Sequence, residues 1–134
     1  MPSFFSKSRA FDKEGIYDCT RYPKILRADL LCEGDHLDAQ VHTACGSDMM
    51  SDVLAYVKDQ SVLLTGLVNA QVVRTAEMMD MLCIVFIRGK RPDDAIIRLA
   101  QQRGIAVMTS PYRMFTACGL LYENGLKGGC ETDV

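Results

Sequence analysis

Several features that would point directly to a function are missing from this sequence. Lysine and arginine form no dense block, and the net charge over 134 residues is −2. That excludes the clustered basic surface a nucleic-acid partner requires. No apolar run approaches the roughly 20 residues that span a bilayer, so no membrane segment is expected. The opening Met1-Pro2-Ser3-Phe4-Phe5-Ser6-Lys7-Ser8-Arg9 lacks the apolar stretch of a secretory signal, and a cytoplasmic chain is expected. No two cysteines have C-x-x-C spacing, so the usual zinc and thioredoxin motifs are absent. Neither G-x-G-x-x-G nor G-x-x-x-x-G-K-[ST] occurs, which removes the standard nucleotide fingerprints. Asp48, Asp52 and Glu77 form no recognisable pair with a histidine. No catalytic set, cofactor or metal is therefore read from the sequence.

What is present is an ordinary globular balance, 49% hydrophobic and 24% charged, in a length that suits one domain. Six cysteines (Cys19, Cys32, Cys45, Cys83, Cys118 and Cys130) would allow three disulfides. The apolar core needs no such staples and Cys83 falls inside a buried strand, so reduced thiols are the better reading. The stretch from Ser61 to Ser110 organises the chain. Ser61 to Thr65, stopped by Gly66, Cys83 to Ile87, stopped by Arg88-Gly89, and Ile105 to Thr109, preceded by Gly104, are short apolar runs. Amphipathic helices separate them, one from about Asn69 to Asp80 and one from Pro92 to Gly104. Such alternation marks parallel strands in βαβ units, buried on both faces. In the first helix Val72, Val73, Ala76 and Met79 face the sheet. In the second, Ala95, Ile96, Leu99 and Ala100 do.

Outside this block, residues 1–19 read as a flexible leader, or as a strap carrying Phe4, Phe5 and Phe11. A short helix begins near Thr20 with Pro23 in its first turn, and Leu30-Leu31-Cys32 is a short strand. Leu37 to Cys45 alternates apolar and polar residues like a half-buried edge strand. Ser47 or Asp48 can cap the next helix, whose stripe is Met49, Met50, Val53, Leu54 and Val57. The last helix, about Pro111 to Glu123, carries Met114, Phe115, Cys118, Leu121 and Tyr122, and Asn124-Gly125-Leu126 caps it. The Met49-Met50 and Met78-Met79-Met81 groups read as core or dimer surface. Residues 127–134 are a flexible tail, although Thr132-Asp133-Val134 has the pattern of a PDZ ligand.

Together these elements resemble the DRTGG domain family over about residues 20–126. The matching runs are His42 to Leu54, Val62 to Asn69, Ile84 to Gly89 with Pro92-Asp93, and Met108 to Tyr112. The family is named for Asp-Arg followed by Thr-Gly-Gly. Here Asp38 matches the Asp, Ala39 replaces the Arg, and Thr43-Ala44 stands in the Thr-Gly-Gly region. The resemblance implies a single α/β domain with a mostly parallel sheet of four to five strands, flanking helices and an antiparallel or edge strand near the N-terminus. It also implies a regulatory module rather than an enzyme, a tendency to form homodimers, and a protein partner. Such domains occur beside paired CBS domains in pyrophosphatases, where adenine nucleotides regulate, at the front of phosphotransacetylases, and as short chains near iron-hydrogenase genes.

Ligands of parallel sheets bind beyond the carboxyl ends of the strands. Those ends supply Gly46, Ser47, Asp48, Thr65, Gly66, Asn69, Arg88, Gly89, Lys90, Ser110 and Tyr112 as candidate ligand residues. Arg88 and Lys90 suit a phosphate, Thr65 and Ser110 offer hydroxyls, and Tyr112 can stack on a base. Asp48 would repel phosphate unless it bonds a ribose or caps its own helix. Each has a plainer reading too: Gly66 and Gly89 as turn glycines, Arg88, Lys90 and Arg91 as a solvated loop, Tyr112 as packing. Thr-Ala-Cys-Gly occurs at Thr43 to Gly46 and again at Thr116 to Gly119, so Cys45, Cys118 and His42 are candidates for a metal or redox site. His42 and Cys45, three apart on a strand, face opposite ways and make a poor nucleophilic pair. The expected function is non-catalytic sensing of a small anion, an adenine nucleotide first. The alternatives are a structural adaptor for a metalloenzyme assembly, and a small phosphoester-processing enzyme using Asp48, Thr65 and Ser110.

Overall fold

The computed structural model describes residues 17–56 and 60–129. In chain order these form β1 (Tyr17–Asp18), a 3-10 turn (Cys19–Arg21), α1 (Tyr22–Ile25), β2 (Asp29–Cys32), β3 (Gln40–Val41) and β4 (Thr43–Gly46). Then follow α2 (Met50–Tyr56), β5 (Ser61–Thr65), α3 (Ala70–Met78), β6 (Cys83–Phe86), α4 (Asp94–Gln102), β7 (Ala106–Thr109) and α5 (Met114–Glu123). The central sheet has five strands in the order β2-β7-β6-β5-β4. β4 to β7 are parallel, and β2 lies antiparallel to β7 at one edge. This is the mostly parallel sheet with an antiparallel edge strand that the sequence predicts. Every residue of β5, β6 and β7 is buried, which explains their continuous apolar runs.

The parallel strands follow one another across the sheet in sequence order, so no reversal opens a crevice between them. Their crossover helices share one face. Met50 and Val53 of α2, Val72, Val73 and Ala76 of α3, and Ile96 and Ala100 of α4 pack on Leu63, Ile84, Phe86 and Val107. On the other face Tyr22 of α1 and Ala117 and Leu121 of α5 pack on Val62, Leu64, Val85 and Met108. Among the described residues no helix is long and apolar enough to cross a membrane.

The strand expected from Leu37 to Cys45 is interrupted. Gln40 and Val41 pair with Asp18 and Tyr17 in a small antiparallel ladder, while Thr43 to Gly46 enter the main sheet beside β5. The break falls at His42, whose amide donates instead to the Gln60 carbonyl (2.9 Å). The alternation itself is as predicted: Val41 and Thr43 are buried, while Asp38, Gln40 and His42 are exposed. Tyr17 and Asp18 fall in the segment read as a leader but pair as a strand, and Cys19 is fully buried. Phe4, Phe5 and Phe11 lie outside the described residues, as do Cys130 and the Thr132-Asp133-Val134 pattern. Lys127, first residue of the segment read as a tail, bridges Thr43, and its carbonyl accepts from the Ala44 amide.

Three helix faces differ from expectation. Met49 and Leu54 are exposed rather than part of the α2 stripe, and Val57 lies outside the described residues. Ala95 is exposed at the start of α4. In α5 the inner row is Met114, Ala117, Cys118 and Leu121, at i, i+3, i+4 and i+7, leaving Phe115 and Tyr122 exposed. Gly46 sets this register, because a Cβ there would lie 2.6 Å from Cys118 Sγ and 3.1 Å from Met114 Sδ. The α5 cap forms as predicted. Gly125 (φ 103) donates to the Tyr122 carbonyl and the buried Leu126 to that of Leu121, the bond pattern of a Schellman motif.

Candidate functional site

The carboxyl ends of β4, β5 and β6 meet at Gly66. After β6 the chain turns through Ile87 to Lys90, with the Lys90 amide donating to the Ile87 carbonyl (3.2 Å). Its central residues Arg88 and Gly89 have φ of 59° and 68°. Two left-handed residues there define a type I′ turn. For Arg88 that conformation costs roughly 1–2 kcal/mol. The end of β7 holds it in place, since the Arg88 amide donates to the Tyr112 carbonyl and the Gly89 amide to that of Ser110, both at 2.7 Å. Gly89 is thus a turn glycine, as expected. The chain also bends at Gly66, but without a left-handed φ. Its small size is what matters. A Cβ there would lie 2.9 Å from Arg88 Nη2 and 3.4 Å from each Asp48 carboxylate oxygen.

Asp48 does not cap α2. Its Oδ1 accepts from the Gly66 amide (2.6 Å) and from Thr65 Oγ1 (3.3 Å), while Ser47 Oγ accepts from the Met49 amide (3.0 Å). The bond from the Gly66 amide is charge-assisted, the stronger kind of hydrogen bond. Lys90 Nζ donates to the Gly66 carbonyl (3.0 Å). One glycine therefore carries a carboxylate on its N–H, an ammonium on its C=O and a guanidinium against its Cα. Asp48, Arg88 and Lys90 are all exposed. Among the described residues Asp48 and Arg88 form no ion pair with each other.

The remaining candidates support this cluster or lie apart from it. The Thr65 hydroxyl donates to Asp48 and accepts from the Leu67 amide (3.1 Å). The Ser110 hydroxyl donates to the Leu26 carbonyl (2.7 Å) and accepts from the Tyr112 amide (3.3 Å). Both side chains are buried, so their hydroxyls are committed within the fold. Tyr112 contributes its carbonyl to the Arg88 turn, while its half-buried ring packs against the α1 and α5 side of the core. Gly46 lies under α5. Asn69 caps α3, accepting from the Val72 amide (3.2 Å), as Asp93 caps α4 by accepting from Ile96 (3.0 Å). An open groove of about 630 Å³ runs between these helices and shares only Asn69 with the candidates. Two of the amides an anion would use there are taken by the caps. Sequence reasoning missed Asp29, which takes Arg91 in an exposed 2.6 Å ion pair. Only the antiparallel placement of β2 brings its first residue to the rim, and a short local pattern carries no sign of that.

Among the described residues the cysteines assemble no reactive centre. Burial pushes the Cys45 thiol up, with further contributions from Cys118 and Asp52, and burial pushes Cys118 up as well. Raised thiols are poor nucleophiles and metal ligands at neutral pH. His42 is exposed, whereas Cys45 packs toward the α2 and α3 side. Among the described residues no group of three or more His, Cys, Asp or Glu side chains is placed to hold a metal ion.

Comparison with known proteins places this geometry in context. The family model of the DRTGG domain matches residues 23–123. Among solved structures, the chain is similar to the CBS and DRTGG domains of the regulatory region of Clostridium perfringens pyrophosphatase, in complex with its activator, diadenosine tetraphosphate. The TM-score is 0.64 at 17% identity, covering 89% of this chain and 51% of that one. At that identity the likeness is one of fold, and this chain spans about half the length of the region it matches. No curated protein matches the sequence.

Proposed function

The chain belongs to the DRTGG domain family, and on that premise we propose that it is a non-catalytic sensor of a small anionic ligand, bound at the rim around Gly66. In this reading it works as a cytoplasmic homodimer that signals to a partner protein. The observation that carries it is the convergence of Asp48, Arg88 and Lys90 on one glycine without an ion pair between Asp48 and Arg88. A ligand that suits all three brings an anionic group for the two cations and hydroxyls for the second carboxylate oxygen. A nucleotide has both, since carboxylates bond ribose hydroxyls while arginine and lysine take phosphate. An adenine nucleotide is the first choice, because the similar pyrophosphatase region was crystallised with diadenosine tetraphosphate. The committed, buried hydroxyls of Thr65 and Ser110 support binding without turnover.

Calorimetric titration with ATP and with inorganic tripolyphosphate tests this division of labour. Arg88→Ala should weaken both ligands. Asp48→Ala should weaken ATP alone and leave tripolyphosphate bound as well or better, since a negative charge has gone. Equal losses for both ligands in Asp48→Ala would refute the ribose role. Absence of binding by either ligand would leave the adaptor reading, which needs no ligand.

A further inference from the structure

Strand order fixes what lies beside what along the rim. The parallel strands run β4, β5, β6, β7 across the sheet, and their crossover helices share one face. Asp48 therefore approaches Gly66 from the β4 side. Arg88 and Lys90 enter from the β6 side, and the open groove between α3 and α4 lies on that side too. One wall of the groove begins at Val68, two residues beyond Gly66 and so within about 7 Å of it. The other begins at Asp93, three residues beyond Lys90 and within about 11 Å of it. The charged cluster and the groove are two ends of the same pair of loops.

The groove has the makings of a ligand pocket. Its volume of about 630 Å³ falls in the usual range of about 300–1,000 Å³ for small molecules. A single row of α4 forms one wall, with Ala95, Arg98, Leu99 and Gln102 at i, i+3, i+4 and i+7. Val68 and Ala70 stand opposite. Ala95, expected against the sheet, is exposed here, and two alanines facing each other leave room that longer side chains would fill. Arg98 and Gln102 are also exposed, and among the described residues their side chains have no hydrogen-bond or ion-pair partner. The apolar walls suit a flat ring. A guanidinium stacks on such a ring, and a glutamine carboxamide pairs bidentately with adenine.

We propose that this groove is the second half of the rim site and that the ligand is a dinucleotide, two nucleosides joined through their phosphates. This rests on the sensor reading above and names its ligand class. A mononucleotide carries its base and ribose on the same side of its phosphates. With phosphates on Arg88 and Lys90 it reaches Asp48 or the groove, but not both. A dinucleotide carries a nucleoside on each side. One ribose meets Asp48, the phosphates meet Arg88 and Lys90, and the second base enters the groove between Val68 and Leu99, with Arg98 on its face and Gln102 on its edge.

Calorimetric titration of the full chain with ATP and with diadenosine polyphosphates of increasing phosphate number tests this. Stacking one more base is worth about tenfold or more in affinity, so the best-fitting dinucleotide should bind at least about tenfold tighter than ATP. Ala95→Phe fills the groove and should abolish that advantage while leaving ATP binding and the melting temperature unchanged, since the position is exposed. Gln102→Ala, which removes only the carboxamide, should reduce the advantage in the same way. A dinucleotide bound no tighter than ATP would overturn the groove, and so would an advantage that survives both variants. In either case ATP binding that is lost in Arg88→Ala would leave the rim reading intact. Absence of binding by every nucleotide would overturn both.

Discussion

Replacing Gly66 by alanine separates the two jobs that one residue does at the rim. Its φ is outside the left-handed region, so alanine introduces no backbone strain. The new methyl would lie 2.9 Å from Arg88 Nη2, too close for contact, and 3.4 Å from the Asp48 oxygens, which is tolerable. The guanidinium is the far end of a flexible side chain and can swing aside for roughly 0.5–1.5 kcal/mol. Stability should therefore fall by no more than about 1.5 kcal/mol in urea denaturation. Binding should suffer more. Losing one hydrogen bond to a charged group costs about 1.5–3 kcal/mol, a ten- to hundredfold rise in Kd for ATP by calorimetry. Two results would refute the reasoning: a stability loss above about 3 kcal/mol, the scale of a backbone clash, or an unchanged Kd in a folded protein.

Other substitutions probe the scaffold. Gly34→Ala (φ 63°) would place Cβ 2.6 Å from the Ala106 amide nitrogen and the Ile105 carbonyl carbon, backbone atoms that cannot give. It should cost more than about 3 kcal/mol by urea titration. Gly89→Ala has a similar φ (68°) but nothing within 4 Å, so it should cost only about 1–2 kcal/mol. Equal losses in the two would contradict the packing argument. Among the described residues the buried Tyr22 hydroxyl has no hydrogen-bond partner. Tyr22→Phe should therefore raise stability by about 1 kcal/mol, measured by thermal denaturation, and a loss would reveal a partner. The hydrogen bond that the Cys83 thiol donates to Cys19, together with burial, pushes that thiol well above its usual 9.0, and burial raises Tyr22. The folded state then keeps protons that the unfolded chain releases. Stability is full below the unfolded values and falls as pH rises above about 9 toward the raised folded values. A urea midpoint unchanged between about pH 8 and pH 10 would contradict this.

The parallel core was legible because β5, β6 and β7 are buried on both faces, and that leaves continuous apolar runs in the sequence. The Gly125 cap was legible for an equally local reason, whereas the antiparallel edge strand followed from the family resemblance and not from any local pattern. The outer row of α5 was misread because Phe115 and Tyr122 are apolar, and apolarity alone does not say which side of a helix meets the sheet. The contact of Gly46 with Cys118 decides that, and it joins residues 72 apart in the chain. At the rim, Arg88 and Lys90 were named from charge and position. The true bond of Asp48 was hidden, since a carboxylate just before a helix looks like a cap until the Gly66 amide is seen beside it. The commitment of Ser110 to the Leu26 carbonyl is likewise a product of the fold, not of any pattern around Ser110.

The most direct test of the central claim is thermal denaturation of the purified chain against adenine nucleotides, repeated on Arg88→Ala. At about 100 times its Kd, a ligand of the folded state adds about 2.7 kcal/mol, a clear rise in melting temperature for a domain of this size. The account predicts that rise for at least one adenine nucleotide and its loss in Arg88→Ala. No rise with any nucleotide, or a full rise that survives Arg88→Ala, would contradict it.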